Sequence, residues 1–212
     1  MISHNLPDLE LFAFTDPAGG RGRVAGTKQK KIRALQAAIV IASDHLQRVF
    51  VIYSWAGRLV PSAYLDKLIT ICDNYNPKIF GIEANAMQSL FADLVHTEAR
   101  RRLGPHKNKF LEVNQPTKVD KFFRIRTTLE PVINEGRLFV PEHMTELLAD
   151  LRGFPTIQHI DRIDCLASAV ALIPQRPLPQ KRKDEADALA SYLRNTGVPS
   201  HQIERRIQEL YR

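Results

Sequence analysis

Apolar residues near the start of the chain fall into three short runs separated by polar residues. The first run covers residues 9–16, and two more, 33–43 and 48–56, are joined through Asp44 and His45. Short runs rich in Ile, Val, Phe and Tyr are typical of strands, and a short polar connection between two of them is typical of a hairpin. The chain is therefore predicted to open with three strands, the second and third forming an antiparallel pair.

Helical repeats alternate with short apolar runs over the following residues. Leu65, Leu68, Ile69 and Cys72 lie at the spacing of a helix that opens at Pro61 and extends to residue 76. A strand that ends on Glu83 is predicted next, followed by a helix over 87–102 with the apolar face Leu90, Phe91, Leu94 and Val95 and by a strand over 109–114. The remaining predicted elements are three helices, over 118–134, over 142–151 and from Asp161 onwards, with the segment 137–141 between the first two.

The order of these elements predicts an α/β fold. It runs β-β-β-α-β-α-β-α-α-α, and an opening hairpin followed by βα units predicts a mixed sheet with helices on both faces. Pro174, Pro177 and Pro179 interrupt the pattern after the last helix. We therefore expect one domain over residues 1–174 and a charged tail over 175–212 that is partly helical or disordered.

Basic residues outnumber acidic ones by 30 to 23 among the 212 residues, for a net charge of +7. This balance favours a polyanionic partner, nucleic acid before membrane. Residues 21–33 carry six basic side chains and no acid, and residues 96–126 carry nine basic side chains. A solvated basic face, which at 118–126 would cover a core of Phe122, Ile125 and Leu129, is the alternative to phosphate binding. The candidate DNA-binding residues are Arg21, Arg23, Lys28, Lys30, Lys118, Lys121 and Arg124.

Several common kinds of site and location are not expected from this sequence. The glycine-rich segment 19–28 has the order Gly-Thr-Lys rather than Gly-Lys-Thr, so it is not a P-loop. The Ser, His and Cys residues have no spacing that indicates covalent catalysis. Cys72 and Cys165 form no metal motif, which favours a reducing, cytoplasmic setting. Neither a secretory leader nor an apolar run of about 18 residues is present, so no membrane span is expected.

Acidic residues stand where two predicted strands end and where the last predicted helix begins. Asp16 ends the first strand and Glu83 the fourth, while Asp161 and Asp164 lie in the first turn of the helix. If the two strands are neighbours, their carboxyl ends line one crevice, where clustered acids repel one another unless cations bind. Hard oxygen ligands suit Mg²⁺ or Mn²⁺, and two such ions support phosphoryl transfer.

Each of these acids also has a structural explanation. Asp16 could start a turn, and Glu83 could form a structural salt bridge. Asp161 could cap the helix, and Asp164 could lie on its surface. His159 is expected to donate a hydrogen bond to a ligand or to lie at the surface, rather than to bind a metal.

Four segments, "TDPA" at 15–18, "GIEAN" at 81–85, "LEPVINEGRLFVP" at 129–141 and "DRIDCLASAV" at 161–170, carry a family resemblance. In their order and spacing they resemble the nuclease domain of the large terminase subunit of tailed phages, over residues 9 to about 173. The resemblance implies a ribonuclease H-like fold. It also implies a two-metal endonuclease that cuts double-stranded DNA during viral genome packaging, here without the ATPase part.

The resemblance further implies the roles of individual residues. Asp16, Glu83 and Asp161 are the implied catalytic ligands of two ions, Mg²⁺ or Mn²⁺, with Asp164 as an additional or alternative ligand. The implied partners are double-stranded DNA, the portal or capsid and the terminase small subunit, with no membrane. The implied location is the cytoplasm of the infected bacterial host.

Two alternatives remain open at the level of sequence. A Holliday-junction resolvase or an exonuclease of the same fold would use the same acids. A non-catalytic nucleic-acid-binding module would carry them only as caps and salt bridges.

Overall fold

The structure, a computed structural model, describes residues 9–17, 34–84, 89–104, 107–115 and 119–174, together with Ala190, Ser191, Arg194 and Gln202. Two compact units divide the chain, Met1–Ile173 and Pro174–Arg212. All the strands and helices named below belong to the first unit. The predicted character of the tail falls almost entirely on residues outside the described ranges, so it stays a prediction.

Three strands form the antiparallel part of the sheet. These are β1 (Glu10–Asp16), β2 (Gln36–Ser43) and β3 (Val49–Gly57), with β2 antiparallel to both of its neighbours. The connection between β2 and β3 is fixed by the carboxylate of Asp44, which accepts hydrogen bonds from the backbone amides of Leu46 and Arg48 at 3.0 and 2.9 Å. The predicted hairpin is confirmed.

Three further strands extend the sheet at both sides. β4 (Ile79–Glu83) lies parallel to β1, β5 (Phe110–Val113) lies parallel to β4, and β6 (Leu138–Phe139) pairs with the start of β3. The sheet order is β5-β4-β1-β2-β3-β6. An antiparallel β1–β2–β3 meander continued through β4 and β5 on the far side of β1 is the ribonuclease H-like arrangement, so the predicted fold class is confirmed. The predicted element order omitted β6, because two residues are too few to form an apolar pattern.

Five helices cover the two faces of this sheet. They are α1 (Pro61–Tyr75), α2 (Ser89–Leu103), α3 (Lys121–Asn134), α4 (Thr145–Gly153) and α5 (Asp161–Ala171). On one face, Val40 and Phe80 of the sheet pack with Leu68 of α1 and Val95 of α2. Residues from α3, α4 and α5 pack with alternate strand residues on the opposite face. Helices on both faces are therefore confirmed. Among the described residues, no helix is long and apolar enough to cross a membrane.

The buried face of α2 matches the predicted one only in part, through Phe91 and Val95. Leu90 and Leu94 are exposed, at 77% and 44%, whereas Ala92, Val95 and Ala99 are fully buried. Ala92 and Ala99 have short side chains, so this face of α2 can pack close to the sheet. The longer side chains of Leu90 and Leu94 lie on the exposed side of the helix.

The start of α3 also differs from the prediction. Asp120 caps the helix by accepting a hydrogen bond from the Phe123 amide at 3.0 Å, so the helix begins at Lys121 rather than at 118. Phe122, expected in the core, is 39% exposed and stacks on Phe154. Ile125 and Leu129 are buried as predicted.

Candidate metal centre

Two acids lie side by side where β1 and β4 end. Thr15 of β1 pairs with Ile82 of β4 in the parallel ladder, so Asp16 and Glu83 follow at adjacent positions. Asp16 is buried and Glu83 is half-buried. The condition stated from the sequence, that the first and fourth strands are neighbours, is met, and this pairing brings the two carboxylates to one point.

A hydrogen-bonded group beneath Asp16 fixes the end of β1. The hydroxyl of Thr15 donates to the Ala37 carbonyl at 2.9 Å and also contacts the hydroxyl of Tyr64. The Tyr64 hydroxyl lies 3.1 Å from the carbonyl oxygens of Asp16 and Ala37. Tyr64 is fully buried. The backbone that carries Asp16 is therefore held by α1 as well as by the neighbouring strands.

Helix α5 supplies a third acid to this point. Asp164 lies one turn after the helix start and is 1% exposed, next to the buried Cys165 and Leu166. Asp16, Glu83 and Asp164 each offer a carboxylate oxygen, and these oxygens lie within 4.8 Å of one another. We call these three residues the acid cluster.

Asp161 lies beside the acid cluster and has other contacts. It is the first residue of α5 rather than its cap, which is Ile160. Its Oδ2 accepts a hydrogen bond from the Leu35 amide at 3.1 Å and lies 3.8 Å from Nδ1 of His159. Asp161 thus fastens the start of α5 to the chain that enters β2. The helix-capping alternative for this residue does not hold, because the cap position is taken by Ile160.

Lys121 of α3 lies close to three of the four acids. Its Nζ lies 2.9 Å from Asp164 Oδ2, 3.8 Å from Asp161 Oδ1 and 4.0 Å from Asp16 Oδ2. Burial disfavours a charge on Lys121, but the carboxylates, Asp164 and Asp16 foremost, outweigh it and raise the pKa of Lys121 above its ordinary value. The side chain is 36% exposed, so it reaches both the acids and the solvent.

Arg124, one turn further along α3, also contacts the acid cluster. Its Nη2 donates to Asp164 Oδ1, and its Nη1 donates to Oε1 of Gln115, which follows β5. Gln115 in turn donates from Nε2 to the hydroxyl of Ser168 at 3.0 Å. Sequence reasoning missed both Gln115 and Ser168. Ser168 lies four residues after Asp164 and so shares its helix face, which could have indicated a role for it. No sequence pattern marks Gln115.

The electrostatics of the site show an excess of negative charge. Burial, together with the nearby carboxylates of Asp16 and Asp164, raises the pKa of Glu83 to about 7. Lys121 and Arg124 are close enough to counter part of this effect, yet the pKa of Glu83 stays well above its ordinary value. Among the described residues, four carboxylates that are buried or half-buried thus lie near two basic side chains.

The donor set fits a hard divalent cation. The three cluster carboxylates offer oxygen ligands only, at a spacing over which one ion can contact all of them, and the described basic residues Lys121 and Arg124 offset only part of their repulsion. Oxygen ligands of this type suit Mg²⁺, Mn²⁺ or Ca²⁺ rather than Zn²⁺. The residues at this site could hold such an ion.

Five predicted DNA-binding residues lie outside the described ranges: Arg21, Arg23, Lys28, Lys30 and Lys118. The other two, Lys121 and Arg124, lie within the described part of the chain, and both contact the carboxylates. Phosphate binding by any of these seven residues stays a prediction.

Comparisons with known proteins give structural likenesses at low identity. No protein-family model matches the chain, and no curated protein matches it. The solved structures similar to it include the following three.

The first is a lysine-to-alanine mutant of gp2c of the large terminase subunit from bacteriophage Sf6 with calcium. It has 11% sequence identity, the match covers 78% of this chain and 89% of that chain, and the TM-score is 0.48. The second is the mutant nuclease domain of the same subunit with manganese and beta-thujaplicinol. It has 11% sequence identity, the match covers 80% of this chain and 89% of that chain, and the TM-score is 0.46. The third is the yeast mitochondrial Holliday junction resolvase Ydc2. It has 12% sequence identity, the match covers 76% of each chain, and the TM-score is 0.45.

Proposed function

We propose that this chain is a metal-dependent endonuclease domain that cleaves double-stranded DNA during viral genome packaging, of the terminase large-subunit type. The observation that carries the proposal is the acid cluster, in which Asp16, Glu83 and Asp164 converge from two strand ends and one helix. Three of the four segments that resemble terminase nuclease domains contain these acids, which supports the assignment.

Asp16, Glu83 and Asp164 would hold the metal, with Asp161 as a further ligand to a second ion. When bound, two Mg²⁺ or Mn²⁺ ions supply an activated water and stabilise the leaving oxygen of a phosphodiester. Asp164 therefore takes the place of Asp161 as the third main ligand in this proposal, because it is the carboxylate of Asp164 that lies within 4.8 Å of those of Asp16 and Glu83.

The protein's own basic groups would bind the DNA backbone. Lys121 is half-exposed and lies 2.9 Å from Asp164, so its ammonium can donate to a phosphate oxygen that approaches the carboxylates. The basic residues of segment 21–33 would extend this contact along the strand. The proposed partners besides DNA are the portal or capsid and the terminase small subunit, and the proposed location is the cytoplasm of the infected bacterial host. Residues 1–174 are proposed as the nuclease domain.

Cleavage assays on three DNA forms test the function. Supercoiled plasmid, linear duplex and a four-way junction are incubated with the full chain in Mg²⁺ or Mn²⁺, with EDTA as the control. We expect the plasmid to be nicked and linearised only with metal. Cutting confined to the junction would indicate a resolvase, cutting only from linear ends would indicate an exonuclease, and binding without cutting would indicate a non-catalytic module.

A matched pair of variants connects the activity to the site. Asp16→Asn should abolish cleavage, because it removes a carboxylate from the acid cluster. Asp66→Asn makes the same chemical change on the exposed face of α1, where Asp66 pairs with Arg102 at 2.6 Å, and should cleave normally. Equal loss in both variants would contradict the assignment.

A further inference from the structure

Asp164 is fixed by contacts to both of its carboxylate oxygens. Oδ1 accepts from Nη2 of Arg124, and Oδ2 lies 2.9 Å from Nζ of Lys121. Since the side chain is 2% exposed, water has little access to either oxygen. The direction in which Asp164 faces Asp16 and Glu83 therefore depends on these two basic residues.

Arg124 is itself held from the far side by Gln115. The carboxamide of Gln115 accepts from Nη1 of Arg124 through Oε1 and donates through Nε2 to Ser168. Ser168 and Asp164 lie four residues apart on α5, so they occupy the same helix face. The contacts thus form a closed ring from Asp164 through Arg124 and Gln115 to Ser168 and back along α5.

The guanidinium has few other contacts that would keep it in place. Its Nε is buried and has no hydrogen-bond partner among the described residues. The two bonds to Asp164 and Gln115 therefore set its orientation. Arginine's planar fork can direct two N–H groups to separate acceptors, whereas a lysine ammonium is a single point on a flexible stem.

We propose that Arg124 is a positioning residue, held by Gln115 and Ser168, that keeps one oxygen of Asp164 occupied and the other turned towards the acid cluster for the metal. This inference rests on the proposed metal site. It assigns roles to Gln115 and Ser168 and gives Arg124 a role inside the site rather than along the DNA. Partners that orient a metal ligand typically contribute a factor of about 10 to 100 in metal affinity.

The test is Mn²⁺ binding to the full chain, measured by isothermal titration calorimetry. Arg124→Lys and Gln115→Ala should each raise the Mn²⁺ dissociation constant by about 10-fold or more. Arg126→Lys is the matched control. Arg126 lies two residues along the same helix, is 64% exposed and pairs only weakly with Glu130 at 3.8 Å, so its variant should bind Mn²⁺ as the wild type does.

The double variant separates a ring from two independent effects. If Gln115 acts through Arg124, then Arg124→Lys with Gln115→Ala should lose little more affinity than the worse single variant. Losses that multiply would overturn the linked arrangement. Ser168→Ala, which removes one hydroxyl, should weaken Mn²⁺ binding by less than Gln115→Ala, and it keeps the test valid if Arg124→Lys fails to fold.

The remaining outcomes distinguish this inference from the proposed function. Variants that melt at a lower temperature but bind Mn²⁺ normally would overturn the positioning role, because the ring would then be purely structural. Wild-type protein that binds Mn²⁺ but cuts no DNA would overturn the nuclease proposal and leave the positioning test intact. Wild-type protein that binds no Mn²⁺ would overturn both.

Discussion

Asp16 and Glu83 end neighbouring parallel strands at adjacent positions, one residue beyond the Thr15–Ile82 pair. The backbone positions of these two residues stay adjacent unless β1 shifts against β4. The sheet register therefore keeps the two carboxylates near each other, and the repulsion between them accounts for part of the raised pKa of Glu83. Asp164, which arrives from α5, adds to it.

The first prediction ranks the two acids of α5. Asp164→Asn should lower the initial rate of plasmid nicking by at least about 100-fold, since it alters a carboxylate of the acid cluster. Asp161→Asn should cost less, because its main contact is a hydrogen bond from the Leu35 amide that an asparagine oxygen can also accept. A greater loss in Asp161→Asn would restore Asp161 as the main third ligand.

The second prediction concerns the stability cost of the acid cluster. In EDTA at pH 8, Glu83→Gln should raise the melting temperature by about 2–4 °C, equivalent to about 1 kcal/mol, because it removes a charge that the site disfavours. A raised folded-state pKa means that the wild type loses stability as pH rises from the unfolded value near 4.5 to about 7. The gain should therefore be smaller at pH 5. An equal gain at both values would show that repulsion is not its source.

The third prediction concerns the close approach of β1 and β4. A Cβ added at Gly81 would lie 2.5 Å from Cδ2 of Phe14 and 3.1 Å from Cδ1 of Leu172. Gly81→Ala should destabilise the fold by about 1–3 kcal/mol, measured by urea unfolding. Combining it with Phe14→Leu should restore part of this loss, because a smaller side chain would relieve the clash. Simple addition of the two effects would argue against the contact.

The fourth prediction concerns Asp44 in the β2–β3 connection. Burial disfavours its charge, but hydrogen bonds from the backbone and guanidinium of Arg48 outweigh burial and hold the pKa of Asp44 below its ordinary value. A lowered pKa stabilises the fold at pH values above the unfolded value near 3.8, and the contribution is lost as pH falls through the folded value.

Asp44→Asn should therefore destabilise the protein by about 1–2 kcal/mol at pH 7, since the partial exposure of Arg48 weakens its share. The difference from wild type should shrink towards pH 3 in urea unfolding. A difference that is independent of pH would show that the hydrogen-bond geometry, rather than the charge, matters at this position.

The fifth prediction concerns the second unit. Deleting residues 178–212 should leave the melting temperature of the remaining chain and its plasmid nicking unchanged, because the strands and helices described above lie within Met1–Ile173. A fall of several degrees would instead assign the tail to the folded domain.

Much of the site could be predicted because acids at strand ends are visible in the sequence. Asp16 and Glu83 follow apolar runs, and parallel neighbours bring such ends together. The sequence could not show in the same way whether Asp161 or Asp164 joins the acid cluster, since this depends on how α5 is rotated about its axis. That rotation is set by Ile163 and Leu166, which are buried in the core.

The contacts of Lys121 and Arg124 with the acids were not predicted for a similar reason. The spacing of α3 gave a basic stripe over an apolar one, which is typical of a solvated helix. Lys121 and Arg124 face α5 instead, because Ile125 and Leu129 of the same helix pack into the core beside Leu166. Gln115 belongs to no periodic pattern, and its contacts depend on three separate segments of the chain.

The placement of Asp164 on α5 also links maturation of the chain to its chemistry. Cys165 and Leu166, the next two residues, pack in the same core as Phe12 and Ile39 of the sheet. A nascent or partly unfolded chain in which α5 has not docked holds at most two members of the acid cluster. Completing the core on this face of the sheet and completing the acid cluster are therefore one event.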